Sequence, residues 1–161
     1  MTIKEGDAIP NVQLKVMTDK GVGDVSTEEL FSNKKVVLFS VPGAFTPTCS
    51  AKHLPGFIDH ADQIKGKNVD TIICMSVNDA FVMDAWGKDR GAGDKVLMVA
   101  DGNGDFAKAL GLELDAKGFG LGMRSQRFSM IIENGSISKL NVEEGGGFEV
   151  SKAEVILDQL G

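Results

Sequence analysis

Residues 35–57, K-V-V-L-F-S-V-P-G-A-F-T-P-T-C-S-A-K-H-L-P-G-F, constrain the fold more than any other stretch. Val36-Val37-Leu38-Phe39-Ser40-Val41 is short, rich in β-branched residues and closed by Pro42-Gly43. That is the pattern of a strand buried on both faces. A tight connection follows. Thr46-Pro47 then opens a helix, with Thr46 at the N-cap and Pro47 at N1, where a missing N–H costs nothing. Cys49 falls at N3. Backbone N–H groups in a first turn lack intrahelical acceptors, and the helix dipole favours an anion there. Since the thiolate is the nucleophilic form of cysteine, the stretch predicts a nucleophile built by a strand-to-helix turn. The alternative, a small buried apolar residue, stays open on these residues alone.

The flanking chain supplies the rest of an α/β domain. Val12, Leu14 and Val16 alternate with polar residues, as in a half-buried strand. Gly21-Val22-Gly23-Asp24 reads as a turn. Ser26-Thr27-Glu28-Glu29 has capping-box spacing and opens a short helix to Phe31. Pro55-Gly56 predicts a kink or restart in the Cys49 helix, which ends near Gly66. Val69 to Val77, with Cys74, is a second apolar strand. Asn78-Asp79 caps a helix to about Arg90, and Gly91-Ala92-Gly93-Asp94 breaks it. Val96 to Ala100 is a third buried strand, and a short helix spans Asp105 to Leu110. Glu113 to Ser125 is glycine-rich and reads as an irregular loop. Arg127 to Glu133 and Ser136 to Val142 flank Asn134-Gly135, a two-residue hairpin signal. Ser151-x-x-Glu154 opens the last helix. The order β–β–α–β–α–β–α–β–α–β–β–α predicts a mixed sheet with helices on both faces. Sites in such sheets lie at the carboxyl ends of strands, which is where Cys49 falls.

Composition excludes several function classes. The 161 residues suffice for one domain, 1–161, with a sizeable core. A net charge of −6 without a clustered basic stretch argues against nucleic acid as a partner. No run approaches the ~18 apolar residues of a membrane span. The start has no apolar core and few arginines, so no signal or transit peptide is expected. Two cysteines do not make a disulfide framework, and a reducing, cytoplasmic setting is the simplest expectation.

V-P-G-A-F-T-P-T-C-S resembles the active-site signature of the peroxiredoxins, P-x-x-x-T-x-x-C, here Pro42, Thr46 and Cys49. With H-L-P-G-F after it, the string is similar to the type II group, the plant type II and atypical animal enzymes. Resemblance continues in C-M-S-V-N-D-A-F-V-M-D-A-W (74–86), G-L-G-M-R-S-Q-R-F-S-M (120–130) and E-G-G-G-F-E-V-S-x-A-E-x-I-L. It covers essentially the whole chain. It implies a thioredoxin-like fold with an N-terminal extension, and a thiol peroxidase reducing hydrogen peroxide and organic hydroperoxides to water or alcohols. Such a role belongs to antioxidant defence and redox homeostasis.

A peroxide needs a thiolate that attacks one oxygen while the other leaves with negative charge, so donors must serve both atoms. Cys49 is the attacker and becomes a sulfenic acid. The resemblance places the Thr46 hydroxyl on thiolate and peroxide, Pro42 as a shield from water, and Arg127 as the cation, with Arg124 competing. Backbone N–H groups of Thr48 and Cys49 are the other local donors. His53 is expected to frame the pocket. Phe45 lies in the active-site turn, which the resemblance places at a homodimer interface. Cys74, among apolar neighbours, reads as a buried inert thiol. The animal relatives' resolving cysteine has no counterpart in Gly147 to Ser151, so an external thiol is expected: glutathione with glutaredoxin, or thioredoxin.

No cofactor is expected, and no metal. Pro55-Gly56 separates His53 from His60, whereas a zinc site wants four tight ligands or three plus water. Asp101-Gly-Asn103-Gly-Asp105 mimics a calcium loop but fails at Phe106 and Leu112. Trp86 reads as packing. A disulfide oxidoreductase is disfavoured because Cys49-Ser50-Ala51-Lys52 lacks the second cysteine. A redox sensor or holdase with little turnover is the rival from another class.

Overall fold

The computed structural model describes residues 2–161. Its centre is β3 (Lys35–Val41), flanked by β4 (Thr71–Ser76) in parallel and by β8 (Phe128–Glu133) antiparallel. The full sheet has the order β2-β1-β5-β4-β3-β8-β9, completed by β1 (Gln13–Thr18), β2 (Gly21–Ser26), β5 (Leu97–Ala100) and β9 (Ser136–Val142).

Alternation along β3 sorts the core into two layers. Val37, Phe39 and Val41 point to one face. There they meet Phe57 of α2 (Leu54–Asp59), Ile64 of α3 (Ala61–Lys65), Trp86 of α4 (Ala80–Arg90) and Ile156 of α6 (Ala153–Leu160). Val36 and Leu38 point to the other face, onto Phe31 of α1 (Thr27–Phe31) and Phe106 of α5 (Asp105–Leu110). A strand covered on both faces must be apolar on both, hence the run broken only by Ser40, whose buried hydroxyl donates to Ser125 Oγ at 2.9 Å. The mixed sheet with helices on both faces is the thioredoxin-like class expected.

Local signals hold at several ends. Ser26 and Glu29 form the reciprocal capping box. Asp79 caps α4 through Val82 N, and Gly91 closes it in the left-handed conformation. Asn134 and Gly135, with φ of 48° and 78°, make the predicted hairpin turn between β8 and β9.

Four expectations are corrected. Gly21-Val22-Gly23-Asp24 is not the turn but part of β2; the reversal is Asp19-Lys20, with Thr18 opposite Gly21. An edge strand tolerates the glycines. Glu113 to Ser125 is not irregular. It holds a two-stranded ribbon, β6 (Glu113–Asp115) with β7 (Met123–Ser125), around a 3₁₀ turn at Lys117–Phe119. The Cys49 helix breaks at His60, between α2 and α3, while Pro55 is absorbed by a π-helical turn before it. Ser151 does not cap α6, whose N-cap is Lys152 without a side-chain bond.

Candidate active site

The site begins where β3 ends. Pro42 is half-buried, and its carbonyl accepts a hydrogen bond from Arg124 Nη1 at 3.1 Å. Gly43 makes room for that guanidinium, since a Cβ there would lie 2.8 Å from Nη1. Arg124 thus braces the turn from outside. On the other flank Asn78 Oδ1 accepts from Ala44 N at 2.9 Å and from Ser76 Oγ at 2.6 Å. Phe45 is forced to φ 66°, a left-handed conformation costing a non-glycine residue about 1–2 kcal/mol, and its ring is 51% exposed.

Thr46 starts the helix, and its carbonyl accepts from Ser50 N at 2.9 Å. Its hydroxyl does not cap the first turn as predicted. It faces the Gly43 carbonyl at 2.6 Å and Cys49 Sγ at 2.9 Å. One hydroxyl carries one proton, so it serves the carbonyl when the sulfur is a thiol and can turn to the sulfur when that is anionic. Thr48 is half-buried and makes no side-chain capping bond.

Residues Cys49–His53 form the π-helical turn, closed by Leu54 N–H to Cys49 O. Pro55 follows at once. A proline lacks an N–H and crowds the carbonyl four residues back, and the wider turn gives that carbonyl room.

Cys49 is fully buried. Two donors approach its sulfur: the Thr46 hydroxyl and Arg127 Nη2, at 3.1 Å. Arg127 comes from the residue before β8, antiparallel to β3, so sheet pairing delivers it. Its other terminal nitrogen, Nη1, donates to His53 Nδ1 at 2.8 Å. His53 Nε2 donates in turn to Ser151 O at 3.0 Å. Arginine only donates, so Nδ1 must hold the lone pair and Nε2 the proton. Burial, then the Arg127 charge, holds the His53 pKa down to about 3, despite the Ser151 bond. His53 is therefore a neutral, oriented imidazole. Both its nitrogens are engaged, which leaves no lone pair for a metal. His60 Nδ1 meets its own helix at Gly56 O, 2.8 Å away. Among the described residues no cluster of three or more His, Cys, Asp or Glu could hold a metal ion.

Beyond His53 lies a group that sequence reasoning missed. Glu143 Oε2 accepts from Glu149 N (2.8 Å), Ser151 N (2.8 Å) and Ser151 Oγ (2.6 Å). Burial works against its ionised form, but these bonds together outweigh it and its pKa falls below the ordinary carboxylate value. Phe148, inside this loop, stands edge-on to His53 with centroids 5.1 Å apart. A second missed contact is Trp86 Nε1 donating to Ser50 Oγ at 2.9 Å, next to Cys49. Cys74 lies in the middle of β4, opposite Phe39 and Met98, and both cysteines are free.

The sulfur thus has a hydroxyl that can follow its charge and a fixed cation, in a site walled from water. Comparison with known proteins shows what the whole chain is similar to. The Redoxin family model matches residues 4–157. Peroxiredoxin-2D of Arabidopsis thaliana is 49% identical over 159 residues, covering 98% of this chain and 98% of that protein. Peroxiredoxin-2C of Oryza sativa subsp. japonica is 51% identical over 156 residues, covering 96% of each. The structure of reduced Prx3 from Vibrio vulnificus in complex with H2O2 matches with a TM-score of 0.96 at 56% identity, covering 99% of this chain and 100% of that one.

Proposed function

The chain belongs to the Redoxin family and, within it, to the type II peroxiredoxins, which are thiol peroxidases; from that premise we propose that Cys49 is the peroxidatic nucleophile, served by Thr46 and Arg127. The observation that carries this reading is the pair of donors converging on one buried sulfur, at 2.9 and 3.1 Å.

The thiolate attacks the terminal oxygen of the peroxide. A sulfur–oxygen bond forms as the oxygen–oxygen bond breaks. Sulfur is oxidised to sulfenic acid, and the departing alkoxide or hydroxide takes a proton from solvent to leave as alcohol or water. Arg127 offsets charge first on sulfur and then on the leaving oxygen, and the Thr46 hydroxyl donates to whichever carries more. Pro42 narrows the mouth. Thr48 and Phe45, from the same turn, would contact the substrate's remainder. His53 acts through Arg127 rather than on the peroxide, because its nitrogens face Arg127 and Ser151.

Regeneration needs an external thiol. Cys74 is fixed in a strand paired on both sides and cannot travel to Cys49, and residues 147–151 hold no cysteine. The first thiol condenses with the sulfenic acid to a mixed disulfide, releasing water. A second reduces that disulfide. Glutathione with glutaredoxin, or thioredoxin, supplies such thiols, in a reducing compartment such as the cytoplasm. A second copy of the chain covering the exposed Phe45 turn would give a homodimer. In a steady-state peroxide assay with both reducing systems side by side, at least one should sustain turnover. Stoichiometric oxidation without turnover in either would favour a redox sensor instead.

A further inference from the structure

Glu143 is a buried acid, 6% exposed, and none of the ion pairs among the described residues includes it. Its carboxylate is compensated by hydrogen bonds alone, three of them onto one oxygen. A neutral amide oxygen with two lone pairs suits such a site poorly, whereas an anion suits it well. The position is also specific. Glu143 N–H donates to Arg127 O at 3.0 Å, one step beyond the last ladder pair, Phe128 with Val142. The acid therefore stands directly across the sheet from the arginine that touches the sulfur.

Between Glu143 and Ser151 runs Glu144-Gly145-Gly146-Gly147-Phe148-Glu149-Val150. Three successive glycines carry more conformational freedom than any other tripeptide, so the loop needs an anchor. The carboxylate supplies it by holding the N–H groups of 149 and 151. Two groups in the anchored loop touch the active site. Ser151 O takes the Nε2 proton of His53, and Phe148 walls both the His53 ring and the Arg127 guanidinium, whose carbon is 5.9 Å from its centroid.

We propose that Glu143 is a positioning residue of the peroxidatic site: it clamps residues 149–151 so that the Ser151 carbonyl selects the His53 tautomer that can hold Arg127 against Cys49. This rests on the reading of Cys49 and Arg127 given above. The physical link is the imidazole proton. With Ser151 O in place, the proton sits on Nε2 and Nδ1 accepts from Arg127. Without it, the Nδ1–H tautomer becomes available and sets N–H against N–H, which turns the guanidinium away from the sulfur.

The test uses Glu143→Gln and Ser151→Ala in the full chain, at a temperature where each is folded. Two quantities are read: the rate of Cys49 sulfenic acid formation by rapid-quench dimedone trapping, and the His53 tautomer by ¹⁵N NMR. Glu143→Gln is expected to slow sulfenic acid formation by about tenfold, as misplacement of a reacting geometry does. It should also give a mixed His53 tautomer. Ser151→Ala, which loses one bond of three, should do the same to a lesser degree, and it decides the matter if Glu143→Gln fails to fold. Parent rates and an unchanged tautomer in folded variants, even with a lowered Tm, would overturn the proposal. A parent reacting no faster than free cysteine would instead fell the reading of Cys49, and this inference with it.

Discussion

Cys49 and Cys74 occupy the same apolar layer and are equally buried, yet their surroundings differ in kind. Cys74 sits mid-strand, with its backbone paired on both sides. Burial pushes its thiol well above the ordinary value, and the neighbouring Cys49 pushes it further; Arg127 opposes, but less than either. Cys49 lies one turn past the end of the adjacent strand, where a hydroxyl and a guanidinium reach its sulfur. Burial alone does not decide reactivity. What decides it is whether donors fill the place that water has left.

The sharpest test is substitution of each sulfur. Cys49→Ser should abolish peroxide turnover, while Cys74→Ser should retain most of it. Equal damage from both, in a coupled peroxidase assay, would erase the contrast. Arg127→Gln comes next, because it should make Cys49 behave more like Cys74. Peroxide attack should slow by about 10²–10³-fold, as for loss of one oxyanion donor. Thr46→Val keeps the branched shape and removes the hydroxyl. It should slow the same step by about tenfold or more, read as kcat/KM for hydrogen peroxide.

A fourth prediction concerns stability. Folded His53 has a pKa of about 3 against an ordinary 6.5, so the folded chain binds fewer protons than the unfolded one between those values. The stability this group contributes is complete above about 6.5 and is lost as pH falls toward 3, by up to about 1.4 kcal/mol per pH unit. His53→Gln should remove that share of the slope in Tm against pH. Cys74→Ser should leave it intact. The smallest effect is expected from Gly43→Ala, where the new methyl meets Arg124 Nη1 at 2.8 Å and Thr46 Cγ2 at 3.1 Å. Overpacking of this kind costs about 1–3 kcal/mol. It should appear in chemical denaturation, with a lesser loss of peroxidase rate.

The setting of Cys49 was legible because it is local: strand, turn, proline and cysteine follow one another within fifteen residues. So were the capping box at Ser26 and the Asn134-Gly135 hairpin. Arg127 was not legible from its own neighbours. An arginine beside an apolar strand looks like a surface charge, and only resemblance pointed to it; sheet pairing is what brings it to the sulfur. Glycines misled twice, at 21–24 and 113–125, because pairing with a neighbouring strand overrides their turn preference: β2 pairs with β1, β6 pairs with β7, and Gln126 N–H donates to Leu112 O behind the second ribbon. Ser151 showed a capping spacing, but a buried acid eight residues earlier claimed its hydroxyl. Glu143 itself gave no signal. Its burial follows from packing of the 143–151 loop over His53, which belongs to the other half of the chain.

The bond from Trp86 to Ser50 has a practical consequence. This is the only indole in the molecule, it is fully buried, and its N–H ends on the residue next to Cys49. An added oxygen at Cys49 should disturb that hydroxyl and so the polarity seen by the excited ring. A stopped-flow fluorimeter should then follow the oxidation of Cys49 without any label.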